Sequence, residues 1–286
     1  MTKKYSSTSF PFPSSREEVK RVSPQRLGQY VLAFTDKDFL QRPELRPVRL
    51  QLELLKPELV LSDHKIEKTI VVFGSARMRS LEDAEDQLKE LEKQLAKDPS
   101  NEQFKKQVVR ARNKVANCHY LKEATKFARL VSSEQKGNLV IVTGGGPGFM
   151  EAANKGAHEA NAPSIGLGVM LPNEQTPNPY ITPELTFQFH YFAIRKMHFL
   201  MRAQALVAFP GGFGTLDELF ETLTLLQTKK IERIPLLLFG IEYWKNLINF
   251  DWLVDQCMID EKDLELIQFV ETADEAWKII KDFYKL

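Results

Sequence analysis

Six short apolar runs punctuate the chain: 70–73 within "TIVVFGSARM", 138–143, 164–171, 185–192, 205–210 and 234–240. They alternate with longer stretches that carry apolar residues at helical spacing. Runs rich in Val, Ile and Leu on both faces belong to buried strands, and strand-helix-strand alternation requires crossovers that lay helices on a parallel sheet. The expected fold is therefore α/β, a Rossmann-like, doubly wound parallel sheet with helices on both faces.

Other segments decorate that core. Residues 1–35 are rich in Ser, Pro and charge and offer little apolar surface to offset ordering, which predicts a mobile N-terminal segment. Residues 36–68 carry leucines among charges and read as an extension packed on the core. The main domain then spans 69–286, with a charge-laced helical hairpin inserted at about 81–132 and broken near 98–101. After 240 only helices are expected.

Charge and composition exclude several function classes. The formal net charge is +1, so no global basic field favours a nucleic-acid partner. No apolar run reaches the roughly 18 residues of a membrane span, and the N-terminus lacks the apolar core of a secretory signal. A cytoplasmic protein is expected. Two cysteines, Cys118 and Cys257, make no framework and no CxxC. No HExxH or comparable metal spacing occurs, and neither a metal nor a cofactor is called for.

In a doubly wound sheet, ligands bind beyond the carboxyl ends of the strands. Three loops there carry glycine: "FGSAR" with Gly74 and Ser75, "TGGGPGFME" with Gly145, Gly146 and Gly148, and "PGGFGTLDE" with Gly211, Gly212, Gly214 and Thr215. Glycine lets backbone N–H groups turn against an anion, and the helix that follows adds unpaired amides and the positive end of its dipole. Hydroxyls of Ser75, Thr143 and Thr215 can add donors. Neither a Walker A nor a GxGxxG pattern is present, so a mononucleotide or sugar phosphate suits these loops better than ATP hydrolysis or NAD.

Acidic and basic residues complete the candidate site. Glu218 and Glu221 fall on one helical face and both could look toward one pocket, whereas Asp217 reads as a complement to the helix dipole. Glu218 sits one turn beyond the expected anion and faces what lies past the phosphate. A carboxylate there needs a nearby cation, and Arg195 in "AIRKM" is the candidate, with Lys196 beside it at the head of the same helix.

The pair "RK" at 195–196 followed by "PGGFGTLDE" resembles the RK…PGGxGTxxE signature of the LOG family, often labelled lysine decarboxylase-like. The resemblance covers about residues 69–240, and the extension and helical insert look like the longer bacterial branch. It implies a nucleoside 5′-monophosphate phosphoribohydrolase, cutting the bond between base and ribose 5-phosphate in AMP, as an AMP nucleosidase does, or in a related nucleotide such as a cytokinin ribotide. It further implies catalysis by Arg195 and Glu218, a phosphate cradle of Gly145, Gly146, Gly148, Gly211, Gly212, Gly214 and Thr215, and a homo-oligomer, dimer or higher. The decarboxylase label has no support in the residues, since no lysine is singled out for pyridoxal phosphate. The alternative on the same fold is a non-catalytic nucleotide or cofactor binding protein, similar to molybdenum-cofactor carriers or nucleotide sensors.

Overall fold

The computed structural model describes residues 31–171 and 176–286. The segment expected to be mobile, 1–35, falls almost wholly outside the described residues. The chain divides into two compact units, one up to Leu52 and one from Glu53 onward. In the first, α1 (Lys37–Leu40) is capped by Asp36, whose side chain accepts the Phe39 N–H at 3.0 Å. Arg49 donates to the carbonyls of Leu40 and Arg42 and closes this small unit on itself. Helix α2 (Arg46–Asp63) contributes its first residues to this unit and the remainder to the second.

The second unit is built on seven strands: β1 (Thr69–Phe73), β2 (Val140–Thr143), β3 (Ser164–Val169), β4 (Thr186–Phe189), β5 (Ala203–Ala208), β6 (Leu236–Phe239) and β7 (Gln268–Val270). Every pairing is parallel, in the order β4-β3-β2-β1-β5-β6-β7. The doubly wound expectation therefore holds, with one strand more than the sequence predicts. β7 has three residues, one of them the exposed Gln268, which gives it no apolar run to read.

Helices α3 (Leu81–Lys97), α4 (Glu102–Asn117), α5 (His119–Gln135) and α6 (Phe149–Glu159) follow β1 and β2. The stretch expected to form one hairpin thus holds three helices. α3 and α4 have exposed polar faces, with only Ala84 buried in the first and Val108 and Ala111 in the second. α5 buries Tyr120, Ala124, Phe127, Ala128 and Val131, and serves as the crossover to β2. The rest are α7 (Phe192–Leu200), α8 (Phe213–Gln227), α9 (Ile241–Leu247), α10 (Phe250–Asp255) and α11 (Ala273–Tyr284).

Two apolar clusters sandwich the sheet. One gathers Ile70 and Val72 with α5, α6 and α11; the other gathers Val71 and Phe73 with Phe199, Leu219 and Trp244 from α7, α8 and α9. Alternate residues of β1 thus serve opposite layers, as the period of two requires. Beneath the loops, Phe149 stacks on Phe209 at 5.1 Å and Phe209 on Phe239 at 4.2 Å between centroids. Such pairs contribute about 0.5–1.5 kcal/mol each beyond area burial. They give the glycine loops a rigid base.

Candidate active site

The strand order reverses between β1 and β5, the place where a doubly wound sheet leaves a crevice. The loops expected to bind an anion converge there. Ser75 donates its N–H to the Pro210 carbonyl at 3.0 Å, and Phe149 donates to the Ser75 carbonyl at 3.3 Å, so the three loops are tied to one another. Two glycines are required by this closeness. A Cβ on Gly74 would lie 2.6 Å from Phe149 Cβ, and one on Gly148, where φ is +73°, would lie 2.3 Å from the Ser75 carbonyl oxygen. Side-chain-free backbone is the condition for the loops to meet.

Helix α8 opens at Gly212, which provides no side-chain cap. The amides of Gly211, Gly212, Phe213 and Gly214 make no hydrogen bond among the described residues, and nothing lies within 4 Å of a Cβ built on Gly212 or Gly214. An N-terminus left open in this way is an anion site in form. Thr215 packs on Gly211, where a Cβ would come within 2.1 Å of the threonine Oγ1. From across the loop, the Tyr243 hydroxyl donates to the Gly211 carbonyl at 2.6 Å.

The "TGGGPG" loop departs from expectation. Thr143 is fully buried; its hydroxyl donates to Asn154 Oδ1 at 2.7 Å and accepts the Gly145 N–H at 2.9 Å. Neither that hydroxyl nor the Gly145 amide is offered to a ligand. Asn178 Nδ2 reaches the Gly145 and Gly146 carbonyls and Asn154 Oδ1, all at 3.0–3.2 Å. Buried amide and hydroxyl groups therefore hold this turn from within, while Gly146 and Gly148 keep amides without such bonds among the described residues. The Ser75 hydroxyl likewise turns to its own loop and accepts the Arg77 N–H at 3.1 Å.

On α8 the buried positions are Thr215, Glu218, Leu219, Thr222 and Leu226, spaced as a core-facing stripe. Glu218 thus occupies a position that periodicity reserves for an apolar residue, and it is 5% exposed. Burial pushes its carboxyl up to about 7, even though the Lys196 and Arg195 cations pull in the opposite direction. Arg195 lies in α7, donates Nε to the Leu167 carbonyl at 2.7 Å and places its guanidinium 5.1 Å over the Phe199 ring. Burial lowers its pKa, opposed first by Glu218 and then by Asp217.

Lys196 and Glu221 do not face a pocket independently. The ammonium bridges Glu221 at 2.7 Å and Asp217 at 2.9 Å. Burial works against the charged ammonium, but the bonds to Glu221 and Asp217 outweigh it and leave the pKa raised. The expected pair of acids facing one site is therefore divided: Glu218 is buried with no ion pair among the described residues, and Glu221 is held by Lys196. Asp217, expected to serve the helix dipole, is the second partner of that lysine. Three residues in the arrangement carried no sequence signal of their own: Tyr243, Asn154 and Asn178. Gly144, the first glycine of its loop, was legible as part of the motif and not as a distinct position.

A seven-stranded parallel α/β sheet with amide-lined loops at its switch point, and with Glu218 and Arg195 buried near them, places the chain in the Rossmann-like class. A family model described as "Possible lysine decarboxylase" matches residues 150–280. A cytokinin riboside 5′-monophosphate phosphoribohydrolase, LOG3 of Arabidopsis thaliana, is 29% identical over 151 residues, 51% of this chain and 68% of the relative. LOG4 of the same plant, described in the same words, is 28% identical with the same coverage. The likeness of this chain is to the LOG, or lysine decarboxylase-like, family, at just under 30% identity over about half of its length. Among solved structures, a molybdenum cofactor binding protein from Rippkaea orientalis is 17% identical, with a TM-score of 0.45 over 76% of this chain and 98% of its own.

No helix among the described residues is long and apolar enough to cross a membrane, and no three His, Cys, Asp or Glu side chains among them group as metal ligands.

Proposed function

We propose that the chain hydrolyses the N-glycosidic bond of a nucleoside 5′-monophosphate, releasing the free base and ribose 5-phosphate. The observation that carries this reading is the buried Glu218 carboxyl beside Arg195, one turn beyond the open amides of α8. The relatives named as phosphoribohydrolases support the same chemistry.

The 5′-phosphate is held at the start of α8 by the amides of residues 211–214 and by Thr215, with Gly146 and Gly148 on the facing loop. As the C1′–N bond breaks, positive charge grows on the ribose and negative charge on the base. Ionised Glu218 stabilises the first and takes a proton from the attacking water, whose hydroxyl joins C1′. Arg195, cationic throughout, stabilises the second by hydrogen bonding to the base, and the proton that Glu218 took from water passes through solvent to the departing base, which regenerates the carboxylate. Phosphate binding remote from C1′ supplies position, so a free nucleoside is a poor substrate. Lys196, through Asp217 and Glu221, holds α7 to α8 and keeps the two catalytic side chains in register.

AMP and related purine nucleotides are the first substrates to test, within a panel of purine and pyrimidine 5′-monophosphates that includes a cytokinin ribotide. Release of base and ribose 5-phosphate in equal amounts is expected. Nucleotide binding without either product across the panel overturns the hydrolase reading in favour of a binding protein. Exposed Phe213, Phe220, Met197 and Met201 support a homo-oligomer, which sedimentation of the full chain tests.

A further inference from the structure

The helix that carries Arg195 has no cap of its own. Tyr191 is its N-cap residue and supplies no side-chain hydrogen bond. The backbone N–H groups of the two residues that lead into the helix, His190 and Tyr191, are instead taken by one carboxylate from α2. Glu53 Oε1 accepts from His190 at 2.9 Å and Oε2 accepts from Tyr191 at 3.1 Å. The bond is charge-assisted and bidentate, and it lies at the positive end of the α7 dipole. A single residue 137 positions earlier in the chain than His190 therefore fixes both the height and the direction of this helix start.

The clamp leads directly to the arginine. The Arg195 N–H donates to the Tyr191 carbonyl at 3.2 Å, so the residue held by Glu53 is the first hydrogen-bonded neighbour of Arg195 along the helix. The guanidinium donates Nε to the Leu167 carbonyl, and its Nη2 lies where a Cβ on Gly144 would come within 2.7 Å. α2 also grips the other end of α7. The Glu53 carbonyl lies 3.3 Å from His198 Nε2, and Glu58, one turn on, pairs with Arg202 just beyond the helix.

We propose that Glu53 is a positioning residue for catalysis: it sets where Arg195 meets the leaving base, and this is a function of the helix that precedes β1. The inference rests on the hydrolase reading of the site. Glu53 touches no substrate and acts only through α7. A purely structural cap would affect folding and leave turnover per folded molecule unchanged.

The experiment compares full-length wild type, Glu53→Gln, Glu53→Ala and Arg195→Lys, and combines Glu53→Ala with Arg195→Lys, using AMP or the best nucleotide of the panel. Misplacing a catalytic group by a fraction of an ångström costs about 10-fold or more in rate. Glu53→Ala is expected to lower kcat about 10-fold while KM changes less than about 3-fold, with Glu53→Gln, which keeps one acceptor oxygen, between it and wild type. In the Arg195→Lys background, the same alanine substitution is expected to cost less than about 2-fold, because the group it positions has already been changed.

Equal losses in both backgrounds overturn the proposal, as does an unchanged kcat. If Glu53→Ala does not fold, the glutamine variant carries the same comparison. Amide hydrogen exchange gives a readout independent of turnover: in either Glu53 variant, residues 190–197 are expected to exchange faster while 213–227 stay as in wild type. Should the wild type turn over no nucleotide, the hydrolase reading falls by itself, and unaltered exchange at 190–197 separately overturns the clamp.

Discussion

The Arg195 guanidinium fills the space that a side chain on Gly144 would need: a Cβ built there lies 2.7 Å from Arg195 Nη2 and 2.9 Å from Met150 Sδ. Gly144 has no positive φ, so alanine is not strained there by its backbone. Both atoms it meets are ends of flexible side chains. The glycine is therefore required for where the arginine sits, more than for the turn.

Gly144→Ala should accordingly lower kcat about 10- to 100-fold with a melting temperature close to that of wild type. Gly148→Ala is the contrast. Its φ of +73° and the Ser75 carbonyl 2.3 Å from the new Cβ are backbone constraints that cannot move away. That variant should unfold several degrees lower, since strain of this kind costs about 1–3 kcal/mol. Thermal melts beside steady-state kinetics separate the two, and equal losses of stability would contradict the assignment of Gly144.

Glu218 carries a cost in stability. Its folded pKa of about 7 lies above the ordinary carboxyl value of 4.5, so the folded state binds the proton more tightly than the unfolded one. The protonated carboxyl favours folding fully below about 4.5, and that advantage is lost as pH rises through about 7. A difference of this size corresponds to about 3 kcal/mol. Glu218→Gln should abolish base release while AMP binding persists, and it should be more stable than wild type at pH 8 by an amount that shrinks toward pH 5. Denaturant melts at the two pH values check the sign; a constant difference would mean that Glu218 is not buried as a charge.

The same carboxyl sets an ascending limb in activity. If ionised Glu218 is the working form, kcat/KM rises with pH and levels off above about 7. The nucleotide phosphate, with a second pKa near 6, titrates close by. Lys196→Met distinguishes them. The lysine is the larger of the two cationic influences holding the Glu218 pKa down, so its removal should move the limb upward while a phosphate-derived limb stays in place. A limb that does not move would assign it to the substrate.

Much of this was legible from residues alone, for definable reasons. The six longer strands announce themselves because buried parallel strands must be apolar on both faces; β7 does not, because Gln268 breaks a run of three. Glu218 is legible because it falls one turn beyond the glycine loop, on the helical face it shares with Glu221. Its division from Glu221 is not, because that depends on Lys196 arriving from a neighbouring helix. Thr143 reads as a donor to phosphate only until Asn154 and Asn178 are seen to use its loop from inside. Tyr243 acts through one hydrogen bond across 32 residues of chain, and Glu53 through two across more than 130. No local spacing encodes such partners.

Two substitutions test the phosphate end of the site without touching the catalytic pair. Tyr243→Phe removes the 2.6 Å bond to the Gly211 carbonyl but keeps the ring in place, and Thr215→Val keeps the branched contact on Gly211 while removing the hydroxyl. Neither group reaches the bond being cut, so both changes weaken ground and transition states alike. KM for the nucleotide should rise about 3- to 10-fold in each, with kcat altered less than about 2-fold. The free nucleoside, which has no phosphate to hold, should be processed at an unchanged low rate by both variants. A fall in kcat with KM unaffected would place the phosphate elsewhere and return Thr215 to a packing role against its glycine.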